Sequence, residues 1–373
     1  VLSTSIFHPL TSISKIMKAV LRYIVALIFI ASGFVKAVDL KGFSFKLEEY
    51  FSPIVFNLPF LEKYALAFSI IVVVLELILG FMLLMKIKLK LTLYALIALC
   101  VFFGFLTFYS AYYNVVTDCG CFGDALKLTP WQSFWKDITL LVLLLILAVL
   151  YRKREEDEKF RFGKLPLLGV FVLVMTFVMF RGIVHEPMID FRAYSIGTDL
   201  AAEKQKIAQN PSEYKTFYSL KNSKTGEVKK VDQDEYINKE YWKDTAWQIE
   251  DGKTTSEISK KGYESEISKF KVEDPNGNPI TDEILKEPRV VLVFTYKPKE
   301  ADLELVKKAE TKALTEKAKV IGISTQPNFY KQIPNYLMDE IAIKTIARSN
   351  PFVLILEKGK VVEKLGAKDY LDK

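Results

Sequence analysis

Apolar residues are unevenly spread along this chain. In the first half they collect in five long runs, and after residue 185 they come in short bursts among charges. Crossing the hydrocarbon of a bilayer as a helix takes roughly 17–25 predominantly apolar residues. Five runs reach or approach that length, at about Tyr23–Val38, Ala65–Met85, Leu91–Ala111, Phe134–Tyr151 and Leu165–Val184. The first is the shortest and is extended by Lys36, whose long stem can carry its ammonium to the interface.

The second half follows a different rhythm. "YKTFYSLKNSKTGEVKKVD" alternates around Lys224-Thr225-Gly226 and predicts a hairpin. Residues 244–268 mix charges with few apolar anchors and predict a loop or irregular edge. From about Ile267 the order becomes strand, Asn-Gly turn and helix start. Then come the continuous apolar run "RVVLVFTY", a helix, the strand "AKVIGIST", a further helix, and two strands joined at Gly359. An unbroken apolar strand is buried on both faces.

Charge orients this plan. Residues 1–184 carry 19 Lys/Arg against 12 Asp/Glu, whereas residues 185–373 carry 32 of each. The basic excess therefore belongs to the apolar half. A nucleic-acid partner is excluded because the polar half offers no bulk positive field. Twelve basic residues fall at the N-terminus and in the loops after spans two and four, against five in the other two short loops. The positive-inside rule then predicts a cytoplasmic N-terminus and an exported C-terminal half. The chain starts at Val1, and Met17 directly precedes "KAVLRYIVALIFIASGFVKA", so residues 1–16 read as an upstream extension without structure. The same run has signal-peptide character with a small-residue site at Val35-Lys36-Ala37, and is read as a retained helix.

Three stretches carry a family resemblance: "SGFVKAVDLKGFSFKLEEY" (with Gly33, Lys36 and Asp39), "LELILG" (Glu76, Gly80), and "DCGCFG". Over about residues 18–152 the chain resembles the DoxX/MauE-type redox-associated membrane proteins, four-helix bundles of bacterial inner membranes. The resemblance is most specific at Cys119-Gly120-Cys121-Phe122-Gly123. It implies thiol–disulfide chemistry or the maturation of exported disulfide proteins.

On the exported side a disulfide can form and persist. Cysteines two apart can meet only across a sharp bend, which Gly120 allows. Strained, exposed disulfides are the labile kind. Cys119 and Cys121 are thus a candidate redox pair, with Phe122 and Gly123 shaping the loop. Asp118 and Asp124 flank the pair, and nearby negative charge raises thiol pKa values. A structural staple or two idle thiols are the plain alternatives. Metal binding lacks ligands, since the chain holds three cysteines and two histidines in all. Cys100, mid-span, reads as a small buried hydrophobe, about a helix length from the pair.

Glu76 lies about 16 Å into the second span, where an ionisable group is costly and a functional candidate. It can be protonated, pair with Lys36 or Lys136, accept from a tyrosine such as Tyr109, or carry protons; the plain alternative is a hydrogen bond that fixes helix packing. No cofactor site is readable. A quinone is a reasonable electron acceptor, but no motif specifies one.

Residues 267–373 resemble the thioredoxin fold, chiefly through Ser349-Asn350-Pro351 before an apolar strand. The resemblance implies a cis bond at Pro351 and a groove for an extended peptide. Where that family carries its dithiol, this chain has "TYKPKEAD", and the exported half has no cysteine.

The expected fold is a membrane α-helical bundle, a four-helix DoxX-like core plus a fifth span, followed by a periplasmic α+β region with a thioredoxin-like α/β domain. The expected divisions are an extension (1–17), the DoxX/MauE-like domain (18–152), a basic loop and fifth span (153–185), a linker with a hairpin (186–266) and the thioredoxin-like domain (267–373). The expected function is thiol–disulfide exchange, or an accessory role in it, on exported clients at the inner membrane. The rival is a non-enzymatic subunit of an envelope assembly. The expected partners are the lipid bilayer and an exported client or envelope subunit.

Overall fold

The computed structural model describes residues 7–116, 122–152, 164–250 and 253–373, with side chains from Ile16 onward. It divides into two compact units. The first holds Val1–Arg192 with Ala347–Ser349 and Asp372–Lys373, and the second holds Ala193–Ile346 with Asn350–Leu371.

The first unit is built from helices α1 (Phe7–Val38), α2 (Leu40–Phe51), α3 (Pro59–Glu62), α4 (Ala65–Met85), α5 (Leu89–Tyr113), α6 (Pro130–Leu150) and α7 (Lys164–Val184). Among the described residues, five helices are long and apolar enough to cross a membrane: Ile16–Val38 within α1, and α4, α5, α6 and α7. They coincide with the five apolar runs.

Local chemistry sets their ends. Thr129 and Gln132 form a reciprocal capping box at the start of α6, with Pro130 in the first turn. At the end of α4 the backbone turns through left-handed residues Lys86 and Lys88. Its last carbonyls are taken by cations. Arg22 Nη1 donates to Leu83 O at 2.7 Å and also to Leu84 O, and Lys164 Nζ donates to Met85 O at 3.0 Å.

Two expectations are corrected here. Residues 7–16 are helical and belong to α1, so this part of the segment before Met17 has structure. The stretch 39–64 is not a plain loop but holds α2 and α3. Asp39 caps α2 by accepting from Gly42 N, and Leu40, Phe43, Ser44, Leu47 and Tyr50 make one buried face at helical spacing.

Packing follows small residues. Val25, Phe29, Leu83, Leu93, Leu96, Leu144 and Leu147 form a core between α1, α4, α5 and α6. Gly33 and Gly80 let α1 and α4 close together: a Cβ on Gly33 would stand 2.9 Å from the Leu77 side chain, and one on Gly80 3.1 Å from Phe29. In α7 only Met179 and Gly182 are buried.

The second unit contains two sheets. The first includes β1 (Glu213–Asn222), β2 (Val228–Asp232), β3 (Trp247–Ile249) and β4 (Thr255–Lys260), with helix α8 (Leu200–Gln209) before it and α9 (Gln233–Asn238) within it. The β1–β2 hairpin stands as read, with Phe217 opposite Asp232 and Lys221 opposite Val228. The region 244–268 differs from expectation, because β3 and β4 both pair with β1. Every residue of β4 is exposed, so backbone pairing rather than burial makes it a strand.

The other sheet follows α10 (Thr281–Lys286). It comprises β5 (Val290–Thr295), β6 (Lys319–Ser324), β7 (Asn335–Leu337), β8 (Phe352–Glu357) and β9 (Lys360–Gly366), in the order β7-β6-β5-β8-β9. Helix α11 (Leu303–Ala313) joins β5 to β6, α12 (Glu340–Ile346) precedes β8, and α13 (Ala367–Asp372) follows β9. The pairs β5–β6 and β6–β7 are parallel, whereas β5–β8 and β8–β9 are antiparallel. All six residues of β5 are buried. Val291, Val293, Val353 and Ile355 face Val306, Ala309 and Tyr370 on one side. On the other side Phe294 and Phe352 stack at 4.7 Å. The strand expected just after Ile267 shrinks to isolated bridges at Glu273, since the Asp274–Gly277 turn leaves no length for pairing. The Asn350–Pro351 peptide is cis.

Gly322 of β6 lies against the ring of Tyr330, which a Cβ would overlap. That ring cannot swing aside, because its hydroxyl sits 2.9 Å from Thr295 Oγ1 and 3.1 Å from the Ile323 carbonyl. Gly322→Ala should therefore cost the second unit about 1–3 kcal/mol. The check is the urea midpoint of its unfolding, followed by circular dichroism in the full chain; an unchanged midpoint refutes the overlap.

Candidate functional site

Several polar groups of the bundle meet at one point. Ser32 and Lys36 sit one turn apart on the same face of α1, and the Lys36 ammonium donates to Ser32 Oγ at 2.9 Å and to Glu76 Oε2 of α4 at 2.7 Å. The two charged side chains are 2% and 3% exposed, so this pair is sealed from solvent. The Phe103 and Phe43 rings lie 5.0 and 5.7 Å from the same ammonium.

A second pair stands on α6. Lys136 Nζ lies 2.9 Å from Asp137 Oδ1, and Thr107 Oγ1 of α5 lies 3.2 Å from Asp137 Oδ2. Asp137 shares a buried stripe with Ser133, Leu140, Leu144 and Leu147. Both pairs line a single small cavity of about 10 Å³, walled also by Cys100, Phe103 and Phe122. That volume matches about one water.

The placement of each expected residue is now plain. Glu76 pairs with Lys36, and Tyr109 instead donates to Val55 O. Lys36 does not rise to the interface; the buried carboxylate turns it inward. Gly33 packs under Leu77, one turn from Lys36. Phe122 reaches the cavity, with its ring 5.2 Å from Lys136 Nζ. Gly123 starts a short 3-10 turn with φ of 51°. Cys119, Gly120 and Cys121, with Asp118, lie outside the described residues. Cys100 is buried and free, and it lines the cavity that Phe122 also lines, so the loop after the cysteines folds back toward it.

A third cluster in the first unit gathers the acidic residues outside the spans. Arg348 Nε lies 2.9 and 3.0 Å from the two Asp39 carboxylate oxygens, and its Nη2 lies 2.7 Å from Asp39 Oδ2 and 2.7 Å from Asp124 Oδ2. Glu186 accepts from the amides of Arg348 and Ser349 at 2.9 and 2.8 Å, and from Arg192 Nη2 at 2.9 Å. Asp124 is therefore not a bare negative charge beside the cysteines, because Arg348 compensates it. Burial alone would raise the Asp39 carboxyl. The Arg348 charge and hydrogen bonds, with Arg192 and the Gly42 amide, overcome this and hold it at about 2.

In the second unit, the loop after β5 is held by side-chain bonds rather than by cysteines. Tyr296 N donates to Asn350 Oδ1 at 3.1 Å, and Asn350 Nδ2 donates to Lys297 O at 3.0 Å. Pro351 is buried. Among the described residues no three His, Cys, Asp or Glu side chains gather as metal ligands.

Sequence reasoning missed Asp137, Thr107, Ser32 and Arg348 as site residues. Asp137 had a signal, since its spacing from Ser133, Leu140 and Leu144 puts it on the buried stripe of α6. Arg348 had none, because its partners are remote in sequence.

Comparison with known proteins agrees with this architecture in its first part. Helices of this length and hydropathy make the chain a multi-pass membrane protein. Residues 14–150, just over a third of the chain, match the model of a family described as methylamine utilisation protein MauE. No curated protein and no solved structure matches the chain.

Two outcomes follow from this geometry. Removing one member of a buried pair strands the other charge and costs about 3–5 kcal/mol. Lys36→Met or Glu76→Gln alone should therefore lower the thermal midpoint of the bundle in a fixed detergent, and Lys36→Met with Glu76→Leu should regain most of the loss. Equal loss in the double variant would mean that the pair contributes nothing as a pair.

The Asp39 carboxyl is held below its ordinary value of 3.8, at about 2. Its contribution is complete above pH 4 and is lost as pH falls through about 2, and amounts to about 2 kcal/mol. Asp39→Asn should flatten the acid limb of the stability profile between those values. A profile parallel to the unsubstituted protein refutes the assignment.

Proposed function

We propose that the chain is a membrane-bound thiol–disulfide exchanger, or an accessory to disulfide formation in exported proteins, with Cys119 and Cys121 as the redox pair. The observation that carries this reading is the charged, water-sized cavity whose wall includes Phe122, the residue bonded to Cys121. The match of residues 14–150 to the MauE model supports a redox or methylamine-utilisation accessory role.

In the exchange, a client thiolate attacks one sulfur of the Cys119–Cys121 disulfide, and that S–S bond breaks as a mixed disulfide forms. The second client thiolate then displaces the bound cysteine. The client dithiol loses two electrons and two protons, and Cys119 and Cys121 gain them as thiols. Reoxidation of the pair falls to a membrane electron acceptor, for which a quinone is the candidate. Glu76 is the proton carrier within the bundle.

The reading places the protein in a bacterial inner membrane with its N-terminus in the cytoplasm, on the strength of the basic loops. Residues 267–373 are read as a thioredoxin-like domain without a dithiol. Three parallel strands continued by two antiparallel ones, with α11 between β5 and β6, support that reading. The loop at Thr295–Asp302 without cysteines favours a second role for this domain, docking a client or an envelope subunit without chemistry of its own. Pro351 marks the groove proposed for that contact.

Thiol trapping in intact cells decides the matter. A membrane-impermeant alkylating mass tag, applied with and without prior reduction, is expected to find Cys119 and Cys121 in both redox states, with mixed-disulfide adducts. Cys119→Ser with Cys121→Ser should abolish the adducts. A pair that is wholly oxidised and resists mild reductant would be a structural staple and would leave only the docking role.

A further inference from the structure

The two ion pairs around the cavity differ in one respect. Lys136 is 21% exposed, whereas Lys36 and Glu76 are 2% and 3% exposed. Through Lys136 the outer pair reaches the surface of the bundle and the inner pair does not, and both carboxylates line the same cavity. We propose that Asp137 and Glu76 are the two ends of a proton-exchange path through this cavity, with one bound water bridging the outer pair to the inner one.

Each residue has a defined part. Lys136, at the surface of the bundle in the second turn of α6 and bonded to Asp137, receives exchange from outside. Thr107 donates toward Asp137 Oδ2 and fixes its orientation. A proton arriving at Asp137 neutralises that carboxylate. As it leaves for the cavity water, a proton of that water passes to Glu76. Asp137 thus loses one proton, Glu76 gains one, the water is unchanged, and no electron moves.

The inner end tolerates that change. When Glu76 is neutral, the Lys36 ammonium still has Ser32 Oγ at 2.9 Å and the Phe103 ring at 5.0 Å. An ammonium with only a carboxylate for company would have no such reserve. Among the described residues the rest of the wall is Ile28, Phe29, Ser32, Cys100, Phe103, Phe122 and Leu140, so the outer pair supplies its other charged groups. Among the described residues the charged and titratable groups on the wall are Lys36 on α1, Glu76 on α4, Cys100 on α5, and Lys136 and Asp137 on α6; α2 and α7 add none.

This path deepens the reading of Glu76 as a proton carrier but requires neither loop cysteine. The test therefore uses the full chain carrying Cys119→Ser and Cys121→Ser in lipid nanodiscs, so that failure of the thiol chemistry cannot affect it. Time-resolved infrared spectra after a downward pH jump should show a protonated-carboxyl band that Glu76→Gln removes. Asp137→Asn should slow the rise of that band about tenfold or more, and Asp137→Glu should restore the rate. Thr107→Val, a milder change that removes the hydroxyl bonded to Asp137 and to the Phe103 and Gly104 carbonyls of its own helix, should also slow it and serves if Asp137→Asn does not fold. A Glu76 band that rises at the unsubstituted rate in both Asp137→Asn and Thr107→Val would overturn the path. So would the absence of any Glu76 band at every pH where the chain stays folded.

Discussion

An ionised side chain inside an apolar bundle persists only beside its counter-charge, and the bond between Lys36 and Glu76 is the point on which the first unit turns. Each group alone would be too costly at that depth. Together, at 2.7 Å, they fix the rotation of α1 about its axis and its height against α4. The rest of the contact follows from that registration. Gly33, three residues before Lys36, meets Leu77, and Gly80, one turn after Glu76, meets Phe29 and Ile30. Small residues allow the approach, and the ion pair selects which approach occurs. Van der Waals packing between apolar helices has little preference of its own, because lipid tails compete for the same contacts.

The same constraint explains why polar chemistry is gathered rather than scattered. Once one pair is buried, a second polar group is least costly where it shares the first pair's enclosure. Asp137 and Thr107 satisfy each other beside Lys136, and their cavity adjoins the first pair. The bundle therefore gathers two ion pairs around room for about one water within its core. That space is bordered by the residue following the cysteine pair, which ties the family resemblance of the loop to a physical environment. Acidic residues outside the spans follow the same logic, with Asp39, Asp124 and Glu186 all answered by Arg348 or its backbone amide.

Much of the fold could be read from the chain, because the signals are local. The apolar runs gave all five long helices to within a few residues, apart from the first, whose helix extends back to Phe7. The β1–β2 hairpin, the buried strand β5 and the Gly359 turn were likewise local patterns. What could not be read was non-local. Strand β4 has no buried residue and exists because β1 offers an edge to pair with. Glu76 was legible as costly, but its choice of Lys36 over Lys136 or Tyr109 was not, because hydropathy does not encode helix rotation. Asp137 was passed over because the fourth run was taken to start at Phe134, which put the aspartate near an interface where a charge is unremarkable. The buried stripe of α6 shows that it belongs to the core.

The loop after β5 completes the contrast between the two units. Its backbone is tied to Asn350 by paired side-chain and amide bonds, and the residue beneath it, Thr295, is locked to a buried tyrosine hydroxyl. A dithiol at the start of a helix needs an exposed, low-pKa thiolate free to attack. Here the stretch after β5 is fixed by hydrogen bonds and holds no cysteine, nor does any other part of the second unit, so that unit has no dithiol of its own. The three cysteines of the chain, Cys100, Cys119 and Cys121, all belong to the first unit.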